Sequence, residues 1–139
     1  MSNSTRPVVP SSTEIKRLLA IAERDLGQAQ MGNLHPDTRF SLAYNAALQL
    51  ATAILRLHGL RIRKVGFHQH TFAELRTRLP AEIQAFSDYF DRARRKRNAA
   101  FYDQVNVVSE GEVNDLIQQV ETFQAWVTSE AKRRKPSLT

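Results

Sequence analysis

Residues 36–59 read PDTRFSLAYNAALQLATAILRLHG, and this stretch decides the fold. Pro36 suits the first turn of a helix because its missing N–H would have no partner there, and Gly59 suits the end of one. One apolar stripe keeps alternating spacings of three and four, and its members are Phe40, Ala43, Ala47, Leu50, Ile54 and Leu57. A second apolar stripe beside it consists of Tyr44, Leu48, Ala51 and Leu55. The polar seam that remains is formed by Ser41, Asn45, Gln49, Thr52 and Arg56. This pattern is typical of a helix buried on two sides of a bundle or shared with another subunit.

Capping patterns mark the starts of three further helices, where a Ser or Thr is followed three residues later by Glu. The pairs are Ser11 and Glu14, Thr71 and Glu74, and Ser109 and Glu112. The first of these helices should end near Gly32 and Asn33, and the second near Pro80. Another helix is expected from about Ala81, with Ile83, Phe86, Phe90 and Ala93 on its apolar stripe. Strand patterns are nearly absent, so the sequence predicts an all-α, up-and-down bundle of four or five helices.

The chain of 139 residues has the size of one domain. Residues 1–10 contain two prolines and several Ser, Thr and Asn, and we predict a disordered leader there. Residues 11–131 should form the bundle. Residues 132–139, which include Lys132, Arg133, Arg134 and Lys135 beside Pro136, should form a basic disordered tail.

Composition excludes several classes of site. The chain has no cysteine, so it contains no disulfide, no thiolate nucleophile and no Cys-ligated metal. Neither a membrane-spanning apolar run of roughly 20 residues nor the apolar core of a signal peptide is present, and we expect a soluble, cytoplasmic protein. The net charge of +6 and the isoelectric point of about 10.2 suggest a nucleic-acid partner, but residues 132–135 of the tail carry much of this charge and the rest of the chain is only mildly basic. Apart from the tail, the positive charge is clustered at residues 61–64 and 92–97.

Arg97 interrupts an apolar pattern, because the stripe of the fourth helix reaches it at the next helical step after Ala93. A charge on an apolar face must be paired, face a cavity or meet another subunit. Alternatively, the helix frays before Arg97, or its side chain extends to solvent at the end of the bundle.

Residues 94–103 read RRKRNAAFYD and resemble the signature region of the HEPN superfamily, whose hallmark is an arginine, a polar residue and, after four to six positions, a histidine. Arg97 matches the arginine and Asn98 the polar residue, whereas Tyr102 stands where the closest spacing puts the histidine. Residues 43–51 and 70–72 also resemble a bacterial branch of this superfamily, and the resemblance covers roughly residues 12–130.

The resemblance implies a homodimer whose shared cleft binds RNA, with Arg97, Asn98 and Tyr102 at the catalytic positions. Arg92, Arg94, Arg95 and Lys96 would extend the RNA-binding surface. Arginine can hold the scissile phosphate and histidine can carry the proton, but no histidine follows Arg97. Tyr102 could donate a hydrogen bond to phosphate, act as an acid, accept an adenylyl group or only pack. His68 and His70 could form a polar loop, serve as an auxiliary proton carrier near Arg97 or form a weak metal clip; we expect no metal and no cofactor.

Two functions stay open. One is a metal-independent endoribonuclease toxin of a toxin–antitoxin or defence system. The other is a non-catalytic RNA- or nucleotide-binding subunit, or an interaction protein that works with a partner such as a nucleotidyltransferase antitoxin. The second apolar stripe of the long helix adds a separate argument for a homodimer, because it is more than one bundle face needs.

Overall fold

The computed structural model describes residues 5–7, 11–62, 67–99 and 107–136, which form five α-helices and two short strands. Their bounds are β1 Thr5–Pro7, α1 Ser12–Ala29, α2 Pro36–Leu57, β2 Leu60–Ile62, α3 Phe67–Arg78, α4 Gln84–Asn98 and α5 Glu110–Arg134. A 3₁₀ turn, Ala81–Ile83, leads into α4. The all-α bundle predicted from the sequence is confirmed. Within these residues, no helix is long and apolar enough to cross a membrane.

The central element is α2, which packs most extensively against α1 and α5 and also contacts α3 and α4. Its first apolar stripe is buried, and so is its second. Tyr44 of the second stripe contacts Phe72 of α3, with ring centroids 6.0 Å apart. The interpretation of this stripe as a surface for another subunit is therefore wrong, because helices of the same chain cover it.

Small side chains let the neighbouring helices approach α2. Five of its alanines have no exposed surface, and they are Ala43, Ala46, Ala47, Ala51 and Ala53. Larger side chains fill the space between the outer helices instead. The Phe123 ring of α5 lies 5.1 Å from Phe86 and 5.2 Å from Phe90 of α4, measured between centroids. Burial of one such phenylalanine contributes about 2–3 kcal/mol to folding.

Several predicted helix ends are confirmed. Pro36 occupies the first turn of α2, and the preceding His35 accepts a hydrogen bond from the backbone N–H of Asp37. Gly59 follows α2 with a φ of 78°, a left-handed conformation that favours glycine. The capping box at the start of α5 is complete, since Ser109 and Glu112 each accept a hydrogen bond from the backbone N–H of the other.

Two capping predictions need correction. The helix expected to open at Thr71 begins at Phe67, and the Thr71 hydroxyl donates to the Phe67 carbonyl 2.7 Å away inside the helix. Ser11 caps α1 as expected, but the Glu14 carboxylate binds Arg56 of α2 at 2.6 Å and Arg61 of β2 at 3.1 Å. In the bonds to Arg56 and Arg61 both partners are charged, whereas the cap would offer only a neutral backbone N–H, which explains this choice.

Both predicted disordered ends contain regular structure. Residues Thr5–Pro7 of the expected leader form β1, which pairs antiparallel with β2 just after the Gly59 turn. Pro7 ends this strand, where a missing N–H is tolerated. Helix α5 continues to Arg134, into the expected tail. Basic residues favour the last turn of a helix, and Arg133 also binds Glu130 one turn earlier at 2.7 Å.

Candidate functional site

Arg97 lies in the last turn of α4. The helix continues through Asn98, so it does not fray before Arg97. The carbon at the centre of the Arg97 guanidinium lies 5.7 Å from the centroid of the Tyr44 ring, a cation–π contact with α2. Its Nη1 is 3.5 Å from Oδ1 of Asn98. The aromatic face thus holds a half-buried guanidinium at the junction of α2 and α4.

An open groove of about 500 Å³ adjoins Arg97. Its other lining residues come from α1 and α2 and include Asp25, Gln28, Thr38, Ser41 and Asn45. Asp25 is buried, and its carboxylate accepts hydrogen bonds from Asn45 at 2.5 Å and from Arg24 at 3.0 Å. The groove therefore combines the Arg97 cation with a carboxylate that Arg24 and Asn45 already bind and with neutral donors and acceptors, a set that can bind both phosphate and hydroxyl groups.

His68 of α3 is linked to Arg97 through Tyr44. The Tyr44 hydroxyl lies 2.9 Å from Nδ1 of His68, and the two ring centroids are 5.7 Å apart. Burial lowers the pKa of His68 below its usual value, and the positive charges of Arg97 and Arg94 lower it further. The imidazole is thus neutral near neutral pH. Burial raises the pKa of Tyr44 far above its usual value, so the phenol stays protonated.

The basic residues of α4 do not all line one groove. The positive charges of Arg94 and Arg97 both act to lower the pKa values of His68 and Tyr44. Arg94 also binds Asp91 at 2.9 Å. Arg95, which is exposed, binds the same carboxylate at 3.2 Å. The remaining two, Arg92 and Lys96, line a different groove of about 260 Å³ between α4 and α5.

That second groove contains Tyr89, Glu112 and Asp115 beside the two basic residues. Lys96 binds Glu112 at 3.3 Å, and Arg92 lies over the Tyr89 ring at 5.7 Å. Acidic residues here offset much of the positive charge. Of the four basic residues predicted to bind RNA, the structure therefore places Arg94 near Arg97, leaves Arg95 exposed, and places Arg92 and Lys96 in a groove that Arg97 does not line.

Two further residues predicted from the sequence, Tyr102 and His70, are not placed beside Arg97 by any described contact. Tyr102 lies outside the described residues. His70 lies on α3 and is partly exposed. In the described ranges, no three His, Asp or Glu side chains are placed to hold a metal ion together.

Tyr44 and the Asp25–Asn45 pair are candidate site residues that the sequence did not identify. The periodicity of the sequence places Tyr44 in an apolar stripe and Asn45 in the polar seam of the same helix. A hydroxyl inside an otherwise aliphatic stripe is the signal that could have identified Tyr44, since a buried tyrosine needs a hydrogen-bond partner.

Comparisons with known proteins agree with this architecture. The family model described as SAV_6107-like HEPN matches residues 31–128. The chain is also similar to the crystal structure of an archaeal HEPN homologue, with 20% sequence identity and a TM-score of 0.63. That match covers 84% of this chain and 96% of the archaeal one. No curated protein matches the sequence.

Proposed function

Since this chain belongs to the HEPN superfamily, we propose that it binds RNA at the Arg97 groove and cleaves it without a metal ion. The single observation that supports this proposal best is the position of Arg97, fixed over the Tyr44 ring beside an open polar groove. A guanidinium can donate two parallel hydrogen bonds to a phosphate, and it stays charged at every physiological pH.

The proposed reaction is a transesterification that needs no metal ion. The 2′-hydroxyl of one nucleotide attacks its own 3′-phosphate, which forms the bond from phosphorus to O2′ and breaks the bond from phosphorus to O5′. Arg97 would stabilise the charge that gathers on the phosphate oxygens in the transition state. Asn98, adjacent to Arg97, and Tyr102 remain proposed members of the same site.

The experiment that tests this function is cleavage of mixed cellular RNA with EDTA present, by the wild type, Arg97→Ala and Arg17→Ala. Arg17 is an exposed arginine of α1 close enough to Glu14 to lower its pKa, and Glu14 binds Arg56 in the last turn of α2, several turns from Tyr44. We expect Arg97→Ala to slow cleavage by about 100-fold or more, the usual loss when a transition-state donor is removed. Arg17→Ala should stay within twofold of the wild type.

A folded wild type that does not cleave RNA would contradict the nuclease proposal. Salt-sensitive RNA binding lost in Arg97→Ala, without turnover, would then support the non-catalytic subunit. If Arg97→Ala changes neither binding nor cleavage, the RNA site lies elsewhere on the protein.

We extend this proposal in three respects. The protein acts as a toxin, forms a homodimer, and has a nucleotidyltransferase or other antitoxin as its partner. The support for them is the family resemblance alone, because the second stripe of α2 is buried within one chain. Light scattering tests the homodimer directly: twice the chain mass of 15.8 kDa is expected, and the monomer mass would contradict it. Purification from the native host tests the partner, which should be recovered as a second chain.

A further inference from the structure

RNA cleavage at Arg97 needs a group that accepts the proton of the 2′-hydroxyl, and every histidine of the chain precedes Arg97 in sequence. His35 caps the start of α2. His58 follows the end of α2, where Arg134, Glu130 and Arg78 influence its pKa. His68 is the histidine that a chain of contacts joins to Arg97.

Tyr44 makes that connection with two parts of one side chain. Its ring face receives the Arg97 guanidinium and its hydroxyl contacts Nδ1 of His68. The guanidinium carbon and the imidazole centre each lie 5.7 Å from the centroid of the Tyr44 ring, so they are within twice that distance of each other. A single ribose-phosphate unit can bridge this separation, with its phosphate at Arg97 and its 2′-oxygen at His68.

We infer that His68 is the catalytic base for the RNA cleavage proposed above, and that Tyr44 is the positioning residue that sets its distance from Arg97. The inference rests on the proposed function. Nε2 of His68 takes the proton of the 2′-hydroxyl as the bond from O2′ to phosphorus forms. The bond from phosphorus to O5′ breaks, and the departing O5′ takes a proton from water. The products are a 2′,3′-cyclic phosphate and a 5′-hydroxyl, and His68 returns its proton to solvent.

The contact with Tyr44 determines which imidazole nitrogen meets the substrate. Within the described part of the chain, Nδ1 makes the hydrogen bond of the imidazole, to the Tyr44 hydroxyl. Nε2 is then the nitrogen left for the 2′-hydroxyl. It accepts a proton when Nδ1–H donates to the Tyr44 oxygen.

The charges around His68 suit a base. Arg97 and Arg94 of α4 both disfavour the imidazolium, and Asp91, which binds Arg94, is the acidic group that acts on Tyr44. The pKa of His68 is therefore lower than that of an ordinary histidine, so its imidazole stays neutral to a lower pH. Cleavage should decline on the acid side with a single ionisation, and this limb should be absent from the residual activity of His68→Gln.

The test compares His68→Gln, Tyr44→Phe and the control His58→Gln with EDTA, at RNA concentrations up to saturation and across pH 4.5 to 8. Arg97→Ala, His70→Gln and Tyr102→Phe are measured in the same way. His58 is a matched control because it too is half-buried and its pKa is also lowered by burial. His68→Gln should lower kcat by about 100-fold or more. Its Kd for 2′-O-methyl RNA, which binds but lacks the attacking hydroxyl, should stay within threefold. His58→Gln should keep wild-type kcat.

Tyr44→Phe separates positioning from simple support of the fold. We expect it to lower kcat less than His68→Gln does, and to move the acid limb, with little change in KM. Long-range ¹H–¹⁵N spectra of the imidazole should show Nδ1 protonated in the wild type and a mixture of tautomers in Tyr44→Phe. Should His68→Gln fail to fold by circular dichroism, the Tyr44→Phe profile and these spectra decide the question.

Three outcomes would overturn the inference. Cleavage by His68→Gln within threefold of the wild type, with Arg97→Ala inactive, would leave the proposed function standing and remove His68 from it. Loss confined to His70→Gln or to Tyr102→Phe would assign the base to that residue. Absence of cleavage by the wild type would reject the proposed function itself, and with it this role for His68.

Discussion

Replacement of Glu14 by Gln should destabilise the protein far more than its place in the first turn of a surface helix indicates. The Glu14 carboxylate lies 2.6 Å from Nε of Arg56 and 3.1 Å from Nη2 of Arg61. The Arg56 side chain is only 7% exposed, and that of Glu14 is 21% exposed. The substitution keeps the shape of the side chain but removes the negative charge that compensates a buried arginine.

The magnitude follows from the burial of the pair. Loss of one partner of a fully buried ion pair costs about 3–5 kcal/mol. Glu14 is partly exposed, glutamine retains one acceptor oxygen, and Arg56 keeps a 3.1 Å hydrogen bond to the Leu60 carbonyl. We therefore expect a loss of about 2 kcal/mol, in the range of a hydrogen bond to a charged group.

Urea unfolding followed by circular dichroism measures this loss. With a urea dependence of about 2 kcal/mol per molar, the midpoint should fall by about 1 M. Glu23→Gln is the control, because Glu23 is an exposed residue of α1. A double-mutant cycle with Arg56→Met should give a coupling free energy of at least about 1 kcal/mol. A loss for Glu14→Gln no larger than for Glu23→Gln, with no coupling to Arg56, would refute the reasoning.

The same pair predicts a pH dependence. The hydrogen bond from Arg56, more than any other cause, lowers the pKa of Glu14 in the folded protein. Its stabilisation is therefore complete above the ordinary glutamate pKa and disappears as the pH falls through the lowered folded-state pKa. The difference in stability between the wild type and Glu14→Gln should shrink progressively below about pH 4. A difference that is constant down to pH 2 would contradict this assignment.

Two further predictions concern the fold. Phe123→Ala removes the ring that contacts Phe86 and Phe90 and leaves a cavity between α4 and α5. It should lower the free energy of unfolding by about 3–5 kcal/mol. Denaturant titration measures it, and a loss below about 1.5 kcal/mol would show that the core collapses around the vacancy. Gly59→Ala places a Cβ at a φ of 78° and should cost about 1–2 kcal/mol by thermal unfolding. An unchanged midpoint would mean that the turn after α2 relaxes to another conformation.

The five helices could be predicted because their patterns are local. Each apolar stripe repeats along one helix, and the cap at Ser109 lies within four residues of its partner. The destination of the Glu14 carboxylate could not be predicted in this way, since Arg56 is 42 positions away along the chain. The strand Thr5–Pro7 was missed for the same reason, because its partner β2 lies beyond α2.

The residues of the candidate site also differ in whether a pattern within one helix could identify them. Arg97 could be identified because a charge interrupts an apolar stripe, which is a property of one helix. The contacts of Tyr44 with Arg97 and His68 join three helices, and no spacing within α2 reveals them. The pairing of Asp91 with Arg94 is local to α4, whereas the pairing of Lys96 with Glu112 of α5 follows only from the folded bundle.

The five alanines of α2 with no exposed surface carry a consequence for how the sequence can vary. Each contributes little apolar area, yet its methyl group fixes how closely a neighbouring helix approaches. A larger apolar residue at one of these positions would overpack the core and cost about 1–3 kcal/mol, although it is more hydrophobic. These positions therefore restrict the size of the side chain more than its hydrophobicity. The small residues of α2 set how far apart the helices of the bundle lie.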